Sequence, residues 1–151
     1  MRHLLSIESL SAADINQILS DTTVLKRERG HHPRQPLSGQ IWAMIFSKAS
    51  TRTRVSFEVG IRELGGQVIF LPSSEIQLGR GEPIKDTARV LGRMVHGAVF
   101  RTFAQSDVEE FSRYAKIPTI NALSTALAGT ALLAHGDTTT RGPYASHVQQ
   151  T

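Results

Sequence analysis

Between Gln40 and Ile61 the chain passes from a short apolar run, Ile41-Trp42-Ala43-Met44-Ile45-Phe46, to a helical pattern in which Val55 and Val59, with Phe57 and Ile61, recur on one side. Only a few polar residues separate the two. A run that short and that apolar suits a strand buried on both faces, and a helix so close behind it is the repeating unit of a parallel sheet. The join reads Ser47-Lys48-Ala49-Ser50-Thr51-Arg52-Thr53-Arg54. A helix start leaves its first N–H groups unpaired and carries partial positive charge, so a phosphate placed there gains several charge-assisted hydrogen bonds. Ser50, Thr51 and Thr53 add hydroxyl donors, and Arg52 and Arg54 offer planar forks that match phosphate or carboxylate oxygens. An ordinary capped helix with solvated arginines uses the same residue types. So many of them packed between strand and helix favour the anion site.

The same alternation recurs along the chain. Ser11 with Asp14 resembles a capping box, and Ile15, Ile18, Leu19 and Leu25 predict a helix from about Ala12 to Arg29, ended by Gly30 and Pro33. After the anion loop, Glu58 and Arg62 form an i,i+4 pair and Gly65-Gly66 stops the second helix. Gln67 to Leu71 reads as a second strand, closed by Pro72. Residues 73–82 fit neither period; this loop either brings Gln77, Arg80 and Lys85 to a ligand or is a solvated connector. Pro83 at the first helical position, with Ile84, Ala88, Leu91 and Val95 in register, predicts a third helix. Gly97 to Phe103 follows as a buried strand carrying Arg101. A buried guanidinium is costly without a counter-charge, so either a carboxylate or a bound anion is expected beside Arg101, at the strand end where open α/β sheets bind ligands. Ser106-Asp107-Val108-Glu109 reads as a capping box opening a fourth helix with Val108, Phe111 and Ala115 inward, and Ile117 to Asn121 begins a fourth strand. The expectation is an α/β fold: a four-stranded parallel sheet with helices on both faces, and the anion loop and Arg101 on one edge.

Charge and composition narrow the function classes. The net charge of +4 and pI near 10.0 raise the question of nucleic acid. The basic residues are dispersed, however, and the densest stretch, Lys26 to Arg34, is broken by Glu28, Gly30 and Pro33, which argues against it. With no cysteine, disulfides and thiolate metal sites are excluded, and the adjacent His31-His32 lacks the spacing of a zinc site, so no metal is expected. No apolar run approaches membrane-spanning length, and Met1-Arg2-His3-Leu4-Leu5 meets polar Ser6, Glu8 and Ser9 too soon for a signal peptide. The chain reads as cytoplasmic, with no membrane partner.

Taken together, Ser50-Thr51-Arg52-Thr53-Arg54, Gln77-Leu78-Gly79-Arg80-Gly81-Glu82-Pro83, Asp86-Thr87-Ala88-Arg89-Val90-Leu91 and Arg101-Thr102-Phe103 closely resemble ornithine carbamoyltransferase. The sister aspartate enzyme shares the Ser-Thr-Arg-Thr-Arg signature. It usually lacks the Gln-Leu-Gly-Arg-Gly-Glu-Pro form and has His in place of Thr-Phe after the strand arginine. The resemblance implies transfer of a carbamoyl group from carbamoyl phosphate to the δ-amine of ornithine, giving citrulline and phosphate, as in arginine biosynthesis, with no metal or organic cofactor. It further implies that Ser50, Thr51, Arg52 and Thr53 hold the phosphate and that Arg101 contacts phosphate and carbonyl oxygens, Arg52 and Arg101 being the catalytic pair. Gln77 is expected to reach carbamoyl phosphate in the neighbouring subunit of a homotrimer.

The motifs run to about Ser124. Where the family continues through His-Pro-Cys-Gln, this chain reads Thr125 to Asp137 with an isolated His135, to which no role is carried, and then a tail rich in Thr, Gly, Ser and Gln. The expected organisation is a carbamoyl-phosphate domain over residues 1–124 and a divergent tail over 125–151, partly helical or loose. The ornithine-binding domain that carries a cysteine motif in the family is expected to be absent. Orienting two reactants supplies on the order of 7 to 11 kcal/mol of a bimolecular barrier. A truncated or frameshifted chain is therefore expected to bind carbamoyl phosphate or phosphate, without turnover of its own. A non-catalytic trimerising remnant and a putrescine carbamoyltransferase fragment stand as alternatives.

Overall fold

A computed structural model describes residues 3–72, 74–76 and 81–123. Four strands alternate with helices in the order α1 (Ala12–Arg27), β1 (Ile41–Phe46), α2 (Thr51–Glu63), β2 (Gln67–Pro72), α3 (Ile84–Leu91), β3 (Gly97–Arg101), α4 (Gln105–Ala115), β4 (Thr119–Asn121). All pairings are parallel and the strand order is β2-β1-β3-β4. This is the sheet expected from the alternation. β1 lies at its centre, with Phe46 level with Pro72 on one side and Arg101 on the other.

The burial of β1 on both faces follows from the layers it separates. Ala43 and Ile45, with Ala98 and Phe100 of β3, face a core completed by Ala88 of α3 and by Val108, Phe111 and Ala115 of α4. Trp42, Met44 and Phe46, with Val99, face Ile61 and Phe57 of α2. The period of two along each strand thus sends alternate residues to opposite helical layers. The Phe100 and Phe111 rings meet edge to face, centroids 5.2 Å apart. At Gly92, behind α3, a Cβ would overlap the Ala115 carbonyl, so only glycine lets α3 and α4 approach this closely.

Helix α1 opens on the expected capping box: the Ser11 N–H donates to Asp14 Oδ2 and the Asp14 N–H to Ser11 Oγ, both at 3.1 Å. It stops at Arg27, short of Arg29, and none of its residues is buried. Helix α2 ends at Gly65, whose φ of 90° lets the N–H groups of Gly65 and Gly66 reach the Arg62 and Ile61 carbonyls.

Several expectations fail at element ends. Pro83 is the N-cap of α3 and not its first helical residue, and the helix closes before Val95, which is nevertheless buried. β3 stops at Arg101, leaving Phe103 71% exposed. The capping box at Ser106 does not form. Helix α4 starts two residues earlier, with Ala104 as N-cap; Glu109 accepts from Gln105 Nε2 at 3.1 Å, and Asp107 from Thr102 Oγ1 at 2.7 Å. The first described residues also join the sheet unannounced: the Leu4 N–H donates to Thr119 O and the Asn121 N–H to Leu4 O, a parallel bridge along β4. Among the described residues no helix is long and apolar enough to cross a membrane.

Candidate functional site

The candidate site lies at the carboxyl edge of the two central strands. The Ser47 N–H donates to Arg101 O at 2.8 Å, which ties the end of β1 to the end of β3 and sets the first turn of α2 beside the Arg101 side chain. Arg101 Nη1 donates to Thr53 Oγ1 at 3.0 Å and to Ala122 O at 3.4 Å. Thr53 is buried. Its hydroxyl oxygen also accepts from Ser50 Oγ at 2.9 Å, and an oxygen that accepts twice keeps its own proton to donate elsewhere.

Ser50 holds the N-cap position of α2 yet makes no side-chain capping bond, since its hydroxyl is turned to Thr53. The first helical hydrogen bond runs from the Arg54 N–H to Ser50 O at 3.0 Å. The N–H groups of Thr51, Arg52 and Thr53 therefore precede the helical ladder with no side chain capping them. No carboxylate of the described residues pairs with Arg101, and its Nε is buried without a hydrogen-bond partner. Of the two partners expected for this arginine, the carboxylate is thus excluded among the described residues. A guanidinium, a donor hydroxyl and an uncapped helix start converge on one place, which is an arrangement that binds a tetrahedral oxyanion.

Not every residue singled out in the sequence takes part. Ser50, Thr53 and Arg101 are brought together. Thr51 and Arg52 stand in the same first turn, but they are exposed and line a groove of about 600 Å³ on the outer side of α2, with Val55, Val59 and Glu63. Arg54 is turned away: its guanidinium lies 3.6 Å above the Phe70 ring and its Nε is 3.7 Å from Glu58 Oε2. Its fork therefore faces Phe70 and Glu58 and not Thr53 or Arg101. Gln77 and Arg80 lie outside the described residues, as do Ser124 and the whole tail. Lys85 is exposed on the first turn of α3.

Two supporting contacts had no clear signal in the local pattern. The Thr102–Asp107 bond fixes the chain just after Arg101. Asn121, at the end of β4, donates through Nδ2 to Gln105 Oε1 at 2.8 Å and to Leu5 O at 3.0 Å, while its Oδ1 takes the Leu123 N–H at 2.9 Å. Asn121 thereby holds the turn whose Ala122 carbonyl meets Arg101. A buried asparagine closing a short strand is the only trace that such a role leaves in a sequence.

Known proteins were compared with this chain. A family model described as the aspartate/ornithine carbamoyltransferase, carbamoyl-P binding domain, matches residues 2–133, past the Ser124 boundary drawn from the motifs. An ornithine carbamoyltransferase of Akkermansia muciniphila is 65% identical over 124 residues, 82% of this chain and 41% of that protein. One of Halorhodospira halophila is 46% identical over 146 residues, 95% of this chain and 49% of that protein. The crystal structure of anabolic ornithine carbamoyltransferase from Campylobacter jejuni subsp. jejuni superposes with a TM-score of 0.79 at 42% identity, covering 87% of this chain and 44% of that one. This chain spans about two fifths to one half of the length of these relatives. With the described fold, these matches show that the chain belongs to the aspartate/ornithine carbamoyltransferase family, of which it represents the carbamoyl-phosphate-binding domain.

Proposed function

We propose that this chain binds carbamoyl phosphate and is the phosphate-holding part of an ornithine carbamoyltransferase. The observation that carries the reading is Arg101: Nη1 bonded to Thr53 at the uncapped start of α2, and Nε buried without a partner. A phosphate seated there takes the free N–H groups of the first turn, the Thr53 proton and the guanidinium, all positive or donating. Thr51 and Thr53 serve as hydroxyl donors, and Ser50, whose proton goes to Thr53, sets the Thr53 hydroxyl and joins them when a ligand draws that proton away. Arg52 serves as a second cation that swings in from the outer groove, and Gln77 reaches the site of a neighbouring copy. Residues 1–124 form the binding unit and 125–151 lie outside it.

The chemistry suits such a site. When the δ-amine of ornithine attacks the carbamoyl carbon, negative charge grows on the carbonyl oxygen and on the departing phosphate. Preorganised donors and cations at those oxygens stabilise the transition state more than the ground state. Arg101 is the group that bridges both oxygens, and no cofactor is invoked. The neutral amine loses its proton after attack, and the polypeptide that orients ornithine lies in the part of the relatives that this chain does not span.

Calorimetric titration of carbamoyl phosphate, with phosphate as a control, into the wild type and Arg52→Ala tests the reading. Saturable one-site binding that weakens in the variant supports it. A wild type that binds neither ligand overturns it. A second reading, a trimerising module without catalysis, is favoured by the outer α2 groove, where Val55 is 53% exposed beside Val59. Light scattering separates the two, since a monomer at all concentrations removes the trimer.

A further inference from the structure

We propose that Arg54 is a positioning residue that seats the first turn of α2 by stacking on Phe70, and that it is not an anion ligand; this inference rests on the phosphate-binding reading above. Arg54 is the fourth residue of α2, next to Thr53. Its guanidinium carbon sits 3.6 Å above the centre of the Phe70 ring, and the Nε edge faces Glu58 Oε2 at 3.7 Å. Glu58 is held from the next turn by Arg62 Nη2 at 3.0 Å. Phe70 lies on β2 level with Met44, and its ring is 5.6 Å from that of Phe46, the last residue of β1. The contacts therefore run from the end of β1 through Phe46 and Phe70 to Arg54 and on along α2.

This seat matters because Thr53 is the one side chain of the first turn that is buried. Thr51, Arg52 and Val55 are exposed, Thr53 is held by Arg101 and Ser50, and the apolar anchors of α2 on the sheet, Phe57 and Ile61, come after the first turn. Without the stack, Thr53 alone is left to fix the start of α2. The donors that the anion needs, the N–H groups of residues 51–53 and the Thr53 hydroxyl, are all carried by that start. A planar cation laid flat on an aromatic face, with a carboxylate near its edge, already has its face and its charge engaged. It holds the turn in place and offers the ligand nothing directly.

Stacking and charge are separable by substitution. Arg54→Lys keeps the charge and removes the flat stack; Phe70→Leu keeps the arginine and removes the ring; Phe70→Tyr keeps both. Inorganic phosphate titrated calorimetrically into the full chain is expected to bind about fivefold to tenfold more weakly to Arg54→Lys and to Phe70→Leu. It is expected to bind Phe70→Tyr as it binds the wild type, and the double variant Arg54→Lys/Phe70→Leu no more weakly than the weaker single. Hydrogen exchange at the amide of residue 54, bonded to Ser50 O, is expected to quicken in the same two single variants and not in Phe70→Tyr. If either Arg54→Lys or Phe70→Leu binds phosphate as tightly as the wild type, the proposal is overturned. Should the wild type bind no phosphate, the functional reading falls and exchange alone decides the positioning: unchanged exchange in both variants overturns it.

Discussion

Helices α2 and α4 begin at the same edge of the sheet, behind the neighbouring strands β1 and β3, yet their starts are finished in opposite ways. The first turn of α4 contains Asp107, whose carboxylate lies near the positive end of the helix and takes the Thr102 hydroxyl. The first turn of α2 contains no acid, its N-cap serine makes no capping bond, and the side chain that reaches it is a guanidinium. Among the described helices α1 and α3 resemble α4, with Asp14 and Asp86 in their first turns. A helix whose start is met by its own carboxylate is structural. One whose start is left positive and then given a cation suits an anion from outside, which is the reading proposed above.

The comparison is broken most severely at Arg101. Arg101→Ala is expected to weaken carbamoyl phosphate binding about 100-fold, on the order of a charge-assisted hydrogen-bonded pair, as read by calorimetry. The equivalent cut at α4, Asp107→Ala, leaves the buried Thr102 hydroxyl without its partner and is expected to cost about 1 to 3 kcal/mol of stability in urea unfolding. Its effect on binding should be the smaller of the two. Thr51→Asp gives α2 the acid that α4 has. It should raise stability by about 0.3 to 1 kcal/mol through the helix dipole while reducing phosphate affinity by like-charge repulsion. A variant that gains stability without losing affinity would show that the two helix starts are alike after all.

The smallest expected effect belongs to α1, where hydrogen bonds from Ser11 hold the Asp14 carboxyl below its ordinary value. The carboxyl takes up its proton more readily in the unfolded chain. The capping contribution is therefore present above the unfolded value, about 4, and fades as pH falls through the lower folded one. Asp14→Asn should lower stability slightly at neutral pH and leave it almost unchanged below the folded value, so that the acid limb of a circular-dichroism unfolding series is flatter.

The parallel sheet and the join between β1 and α2 were legible because both come from local pattern. Six apolar residues before a helical pattern can hardly be anything but a central parallel strand, and Arg101 so close to bulky neighbours had to find a partner. The Arg54–Phe70 contact was not legible because Phe70 lies on another strand, and only the parallel register of β1 and β2 brings the ring beneath the guanidinium. The capping box expected at Ser106 failed for a related reason. Gln105, outside the four-residue pattern, takes Glu109 through Nε2 at 3.1 Å. Helix boundaries set by side-chain competition of this kind are invisible to spacing alone.

The bridge between Leu4 and the flanks of Ile120 has a consequence in time. Because the earliest described residues dock on the last strand, their hydrogen bonds span more than a hundred positions and cannot form until β4 has been made. During synthesis β1, α2 and β2 can pair from local contacts, while the edge of the growing sheet stays open to other chains. The segment around Leu4 then docks only after β4, and it closes the margin of the sheet from which Asn121 props the carbonyl that Arg101 touches.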